Sequence, residues 1–119
     1  MKDNIENNKI YSIQEIKKMI NKILKKYNID KAYIFGSYAR GEATESSDID
    51  IMIKKGNLTT LLELSKMAIE IEEKFKKNVD IVTEESYTDD IKHVQIPSII
   101  RAKEIFYNEV CKERVLIYG

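Results

Sequence analysis

Residues 31–54, KAYIFGSYARGEATESSDIDIMIK, contain the two patterns that decide the fold and the candidate site. The run Lys31–Phe35 is rich in β-branched and aromatic residues and stops at Gly36, which predicts a strand followed by a sharp turn. In residues 48–54 the isoleucines alternate strictly with other residues. A second strand is therefore expected, with its isoleucines on one face and its aspartates on the other.

Two helical patterns flank these strands. Ser12 and Glu15 have the spacing of a capping box, and isoleucines at helical spacing follow it until the pattern ends near Asn28. After the second strand, a longer helical pattern has its apolar stripe at Leu61, Leu64, Ala68, Ile71 and Phe75, with Leu62 and Ile69 beside it. Both helices are expected to pack against the sheet.

The remainder of the chain adds a third strand and a final helix. Residues 78–83 form an apolar run interrupted by Asp80, which predicts a strand with one acidic side chain. Pro97 suits the first turn of a last helix, and residues 115–118 form a short apolar tail. Because helices and strands alternate, the predicted class is α/β or α+β, with a small mixed sheet covered by helices.

Composition limits the class of protein. The 119 residues suit a single domain spanning 1–119, in which the polar stretch 1–11 is predicted to be flexible. Lys and Arg number 20 and Asp and Glu number 20, so no overall charge attracts the chain to nucleic acid or to an anionic membrane. With no apolar run near the roughly 20 residues of a membrane span, and no signal-peptide core, a cytoplasmic protein is expected. The single cysteine, Cys111, is predicted to be a small buried apolar residue.

Three aspartates lie where strands should be apolar. Asp48 and Asp50 are predicted to lie side by side on one strand face, and Asp80 joins them if the third strand pairs beside the second. Such an oxygen-only cluster suits Mg²⁺ or Mn²⁺. The alternative is an exposed strand face with solvated aspartates. The only histidine, His93, has no second histidine or nearby cysteine with which to form a zinc site.

The turn after the first predicted strand is a candidate phosphate cradle. Gly36 allows close approach of the backbone, and Ser37 offers a hydroxyl and a main-chain N–H. The alternative is an ordinary strand-to-helix turn with Ser37 as the N-cap. Arg40 could bind phosphate or could pair on the surface with Glu42 or Glu45.

The two elements together are far more specific than either one. The combined pattern is Gly36-Ser37-x-x-Arg40-Gly41, five further residues, and then Ser47-Asp48-x-Asp50. It resembles the signature of the nucleotidyltransferase superfamily built on the DNA-polymerase-β-like fold, in which a third acidic residue, here Asp80, follows in a later strand. The short chain looks most similar to the minimal nucleotidyltransferases, the antitoxin partners of HEPN-domain toxins. The resemblance covers roughly residues 12–107.

The resemblance implies a role for each matching residue. Catalysis and the binding of two Mg²⁺ ions, with Mn²⁺ as an alternative, would fall to Asp48, Asp50 and Asp80. Asp80 would also help to take the proton of the attacking hydroxyl. The nucleotide-binding residues would be Gly36, Ser37, Arg40 and Ser47.

The implied activity is transfer of AMP from ATP to a hydroxyl. Because larger relatives use an additional helical domain to hold the acceptor, the acceptor wall is expected to come from another chain in a homo- or hetero-oligomer. With no basic stripe in the sequence, RNA is a poor acceptor, and a tyrosine on an HEPN ribonuclease toxin fits better. Two alternatives remain: a non-catalytic antitoxin that neutralises its partner by binding, and a small antibiotic-type adenylyltransferase.

Overall fold

The computed structural model describes residues 8–58, 60–88 and 96–119. Within these ranges the strands form one mixed sheet in the order β3-β2-β1-β4, which confirms the predicted fold class. The strand β1 pairs antiparallel with β2 and β4, whereas β2 and β3 are parallel. The elements in chain order are α1 (Ile13–Lys26), β1 (Lys31–Phe35), α2 (Ser37–Arg40), β2 (Ile49–Lys54), α3 (Leu61–Phe75), β3 (Val79–Thr83), α4 (Glu85–Thr88), α5 (Pro97–Glu113) and β4 (Val115–Tyr118).

The helices α1 and α3 cover one face of the sheet. α1 begins at the predicted capping box, where the Ser12 hydroxyl accepts from the Glu15 N–H and the Glu15 carboxylate accepts from the Ser12 N–H. The main core lies between these helices and β2. The fully buried residues that meet there are Ile16, Ile20 and Leu24 of α1, Met67, Ile71 and Phe75 of α3, and Ile49, Ile51 and Ile53 of β2.

The start of α3 differs from the prediction. Leu61 is 78% exposed and Leu62 and Ile69 are also exposed, whereas Met67 is fully buried in the core. Leu61 occupies the first turn of the helix, just after the N-cap Thr60. The apolar stripe therefore meets the sheet only from Leu64 onward.

The C-terminal residues are a strand rather than a tail. Val115–Tyr118 forms β4, which pairs with the outer edge of β1 and buries Ile117. Cys111, predicted to be buried, is exposed on α5, because this helix packs mainly through the side that carries Val110. None of the described helices combines the length and the apolar character needed to cross a bilayer.

Tyr11 ties the chain before α1 to the core. Its ring is buried edge-on against Phe75, and its hydroxyl donates to the Phe75 carbonyl at 2.8 Å. Although Tyr11 falls within the stretch predicted to be flexible, it is held in place by this packing. Residues 1–7 of that stretch, together with His93, lie outside the described residues.

Candidate active site

The sheet register places two of the predicted carboxylates side by side. In the parallel pairing of β2 with β3, Asp50 is opposite Asp80, and in the antiparallel pairing of β2 with β1, Asp50 is opposite Phe35. The chain turns at Gly36 directly after Phe35. Asp48 was expected inside the strand, but β2 begins at Ile49, so Asp48 lies immediately before the strand. The three aspartates therefore belong to the same end of two neighbouring strands.

Asp50 is the electrostatic centre of this group. Partial burial, followed by the negative charges of Asp80 and Asp48, raises the pKa of Asp50 to about 6 from an ordinary value of 3.8, although the Arg40 charge opposes this rise. Asp48 and Asp80 are exposed. In the part of the chain that is described, no three acidic, histidine or cysteine side chains are grouped tightly enough to form a ready-made metal site. Joint metal binding by these aspartates stays a prediction.

Gly36 packs directly against the Asp50 carboxylate. Its backbone has φ 74° and ψ −151°, a combination that is essentially restricted to glycine. A Cβ built on Gly36 would overlap Oδ2 of Asp50 and lie 3.2 Å from its Cγ. The turn after β1 therefore leaves no room for a side chain at Gly36 beside the carboxylate.

The short helix α2 follows from this turn. Its N-cap is Gly36, with no side-chain cap, so the alternative in which Ser37 caps the helix is not what forms. Arg40 lies in the last turn, and its guanidinium forms ion pairs with Glu42 at 2.9 Å and with Glu113 at 3.0 Å. Glu42 and then Glu113 raise the pKa of Arg40. The predicted surface pair with Glu42 is confirmed, whereas Glu113 is an unexpected second partner.

Glu113 is the residue that sequence reasoning missed. It ends α5, and its Oε2 accepts a hydrogen bond from the Gly36 N–H at 2.9 Å. Its sequence position, 77 residues from Gly36, gives no local signal of this contact. Only the return of α5 to the sheet brings the two together.

The loop before Asp48 is held from two sides. The Ser47 hydroxyl accepts from the Thr44 N–H at 2.8 Å, and the Ser47 N–H donates to the Thr44 carbonyl at 3.1 Å. Lys77 is only 4% exposed, and its ammonium donates to the Glu45 carbonyl at 2.8 Å. This loop lines a polar groove of about 440 Å³ that Asp48 also borders. Ser47 thus shapes the loop, and nucleotide binding by Ser47 stays a prediction.

Two other acidic residues near the end of β3 are occupied elsewhere. Glu84 accepts from the Tyr107 hydroxyl at 2.7 Å and pairs with Arg114 at 3.5 Å. Burial and the Glu84 carboxylate raise the pKa of Tyr107. The Glu85 carboxylate accepts from the Lys55 N–H. Asp80 is therefore the acidic residue of β3 that lies beside Asp50.

Comparisons with known proteins agree with this geometry. Residues 18–119 match the family described as Polymerase beta, Nucleotidyltransferase. A relative from Methanocaldococcus jannaschii, named a candidate protein adenylyltransferase, is 47% identical over 72 residues, which cover 60% of this chain and 77% of that protein. A second relative from the same organism, with the same type of name, is 42% identical over 77 residues, covering 62% and 77%.

Two solved structures share the fold. A toxin-antitoxin crystal structure with AMP-PNP has a TM-score of 0.62 at 19% identity, covering 87% of this chain and 73% of that chain. A structure described as a candidate minimal nucleotidyltransferase has a TM-score of 0.60 at 22% identity, covering 88% and 95%. The family match goes further than the fold, because residues 18–119 include the strands and the turn that carry the aspartates. The chain is therefore a nucleotidyltransferase and belongs to the polymerase-β nucleotidyltransferase family.

Proposed function

We propose that this protein is a Mg²⁺-dependent adenylyltransferase that moves AMP from ATP to a hydroxyl group of a partner protein. The observation that carries the proposal is the close packing of the Gly36 turn on the Asp50 carboxylate, with Asp80 in register beside it. This arrangement joins a candidate phosphate-binding turn to a candidate cation-binding pair. Both are needed at one place for phosphoryl transfer.

The donor set fits a hard divalent cation. Asp48, Asp50 and Asp80 offer only carboxylate oxygens, which Mg²⁺ and Mn²⁺ prefer. The raised pKa of Asp50 means that its anion is poorly stabilised by the protein alone, as expected of a site that awaits a cation. Bound to these carboxylates, the metal ions would neutralise charge on the phosphates and favour in-line displacement.

The protein groups would divide the remaining work. Gly36, Ser37 and Arg40 would bind the β- and γ-phosphates, with Ser47 as a further nucleotide contact. The acceptor oxygen forms a bond to the α-phosphorus while the bond to the bridging oxygen breaks. Pyrophosphate then leaves with the electron pair, and Asp80 would help to take the acceptor proton.

The acceptor is proposed to be a tyrosine of an HEPN-type ribonuclease toxin, for which this chain would be the antitoxin. Three observations support a protein acceptor: the adenylyltransferase names of the relatives, the toxin-antitoxin structure that shares the fold, and the balance of 20 basic against 20 acidic residues. A neutral chain offers little attraction to a nucleic-acid acceptor.

The deciding experiment incubates the co-purified partner with Mg²⁺ and labelled ATP, using the wild type and the double variant Asp48→Asn, Asp50→Asn. We expect the wild type to add whole AMP units to a partner hydroxyl and the variant to add none, although it still folds and binds. If the variant protects cells from the partner as well as the wild type does, and neither adds mass, then neutralisation by binding replaces catalysis.

A further inference from the structure

Glu113 makes two contacts with groups that the proposed function assigns to phosphate. Its Oε2 accepts from the Gly36 N–H at 2.9 Å, and its Oε1 lies 3.0 Å from Nη1 of Arg40. The same Nη1 is also 3.3 Å from Oε2. The Glu113 side chain is 26% exposed, so water screens these contacts only in part. One carboxylate therefore bridges the turn after β1 and the end of α2.

A carboxylate and a phosphate oxygen make the same demands on an N–H and a guanidinium. Both accept short, charge-assisted hydrogen bonds, and both can engage two donors at once. A triphosphate that approached Gly36 and Arg40 would find the Gly36 N–H and Nη1 of Arg40 already bonded to Glu113. It would also meet the repulsion of a second anion at close range.

We propose that Glu113 is an internal anion that occupies the polyphosphate subsite in the nucleotide-free protein and is displaced when a nucleoside triphosphate binds. The proposal rests on the proposed function, because it takes Gly36 and Arg40 as phosphate ligands. Glu113 then sets the affinity for the β- and γ-phosphates, and it discriminates against nucleotides that have too few phosphates to displace it.

The size of the effect follows from how often Glu113 occupies the subsite. If the carboxylate is in place about nine-tenths of the time, the apparent affinity for polyphosphate falls roughly tenfold relative to an open subsite. AMP lacks the phosphates that compete, so its affinity does not depend on Glu113. The opposite role, in which Glu113 orients Gly36 for phosphate, predicts weaker binding when the carboxylate is removed.

The test compares wild type, Glu113→Gln and the control Glu109→Gln, with inorganic tripolyphosphate, ATP and AMP as probes in Mg²⁺ buffer. Glu109 lies on the same helix, where its exposed carboxylate pairs with Lys112 at 3.5 Å. Calorimetric titration is expected to show roughly tenfold tighter tripolyphosphate and ATP binding by Glu113→Gln, with AMP binding unchanged. The Glu109 variant should match the wild type for all three probes.

Equal or weaker tripolyphosphate binding by folded Glu113→Gln overturns the proposal, while AMP transfer by the wild type leaves the proposed function standing. Absence of tripolyphosphate binding in both proteins removes the phosphate role of Gly36 and Arg40 as well. NMR of the wild type gives a test that needs no variant. Tripolyphosphate should shift the Gly36 amide and the Glu113 side-chain carboxyl signals together, and a Glu113 signal that does not move contradicts displacement.

Discussion

The two faces of the sheet have different contents, although the same strands supply both. On the face covered by α1 and α3, β2 contributes Ile49, Ile51 and Ile53 to a large core. On the opposite face it contributes Asp50 and Met52, and among the described residues the buried cluster there comprises Phe35, Met52 and Val110. Because successive side chains of a strand point to opposite faces, β2 supplies core residues on one face and site residues on the other.

The face opposite α1 and α3, called the site face below, carries an electrostatic cost because it contains carboxylates. Asp50 carries a raised pKa because it is partly buried among other carboxylates, whereas the residues described on the covered face form a large cluster of buried hydrophobic side chains. A residue that serves chemistry on this fold is therefore expected to oppose folding slightly. Substitutions on the site face should mainly change the rate of AMP transfer, whereas substitutions on the covered face should mainly change the free energy of unfolding.

The largest expected effect is on the rate of AMP transfer and comes from the site face. Asp80→Asn is expected to lower the rate of AMP transfer about 10³-fold, because it removes a charge beside Asp50 with little change in shape. The unfolding free energy should be unchanged or higher. The matched control is Asp30→Asn, an exposed aspartate in the turn before β1, which should retain the wild-type rate. Initial rates with labelled ATP and partner make the comparison, and a fully active Asp80→Asn protein would remove Asp80 from the site.

The covered face should give the largest loss of stability. Phe75→Ala is expected to lower the unfolding free energy by about 3 to 5 kcal/mol, because it leaves a cavity in the core and removes the ring against which Tyr11 packs. Phe106→Ala on the other face, where the ring is 38% exposed and touches Phe35, should cost only about 1 kcal/mol. Urea unfolding measures both, and similar losses would contradict the proposed division between the faces.

A substitution in the turn after β1 should affect both the stability of the fold and the binding of ATP. Gly36→Ala forces a Cβ into the Asp50 carboxylate at a φ of 74°, so a destabilisation of about 1 to 3 kcal/mol is expected together with loss of ATP binding. Gly41→Ala is the control, because its φ is 75° but no atom lies within 4 Å of the added Cβ. It should cost about 1 kcal/mol and leave ATP binding intact. Thermal melts with and without Mg²⁺ and ATP test the pair.

The smallest expected effect is a pH dependence. Because the pKa of Asp50 is about 6 in the folded protein and 3.8 ordinarily, its contribution to stability is fully present below pH 4 and is lost as pH rises through 6. Solvent screening of this partly exposed group limits the loss to about 1 kcal/mol. Urea unfolding in EDTA at pH 4.5 and 7 should show this loss in the wild type relative to Asp50→Asn. A difference that does not change with pH would place the Asp50 carboxylate in a water-like environment.

Much of the fold and part of the site could be predicted because their signals are local. The capping box at Ser12, the alternation in β2 and the interruption at Asp80 are each contained within a few residues. The conformation of Gly36 was also foreseeable, since only glycine tolerates so close an approach to the backbone. The pairing of β2 with β3 then brings Asp50 and Asp80 together.

What could not be predicted depends on how distant elements pack. β4 looked like a tail because a four-residue apolar run gains strand character only from the exposed edge of β1. Cys111 is exposed because α5 packs on the sheet through the side that carries Val110, and the composition of the helix does not reveal which side is covered. Glu113 reaches Gly36 for the same reason, and no motif could have indicated it.

Chemical modification of the buried Lys77 ammonium can be used to follow the position of the loop before Asp48. Among the residues that the structure describes, Lys77 is the charged residue that is buried, and it donates to the Glu45 carbonyl. Amine-reactive reagents should modify exposed lysines first and reach Lys77 only when this loop separates from the turn before β3. The labelling rate of Lys77, measured by mass spectrometry, therefore shows how often the loop before Asp48 separates from the turn before β3.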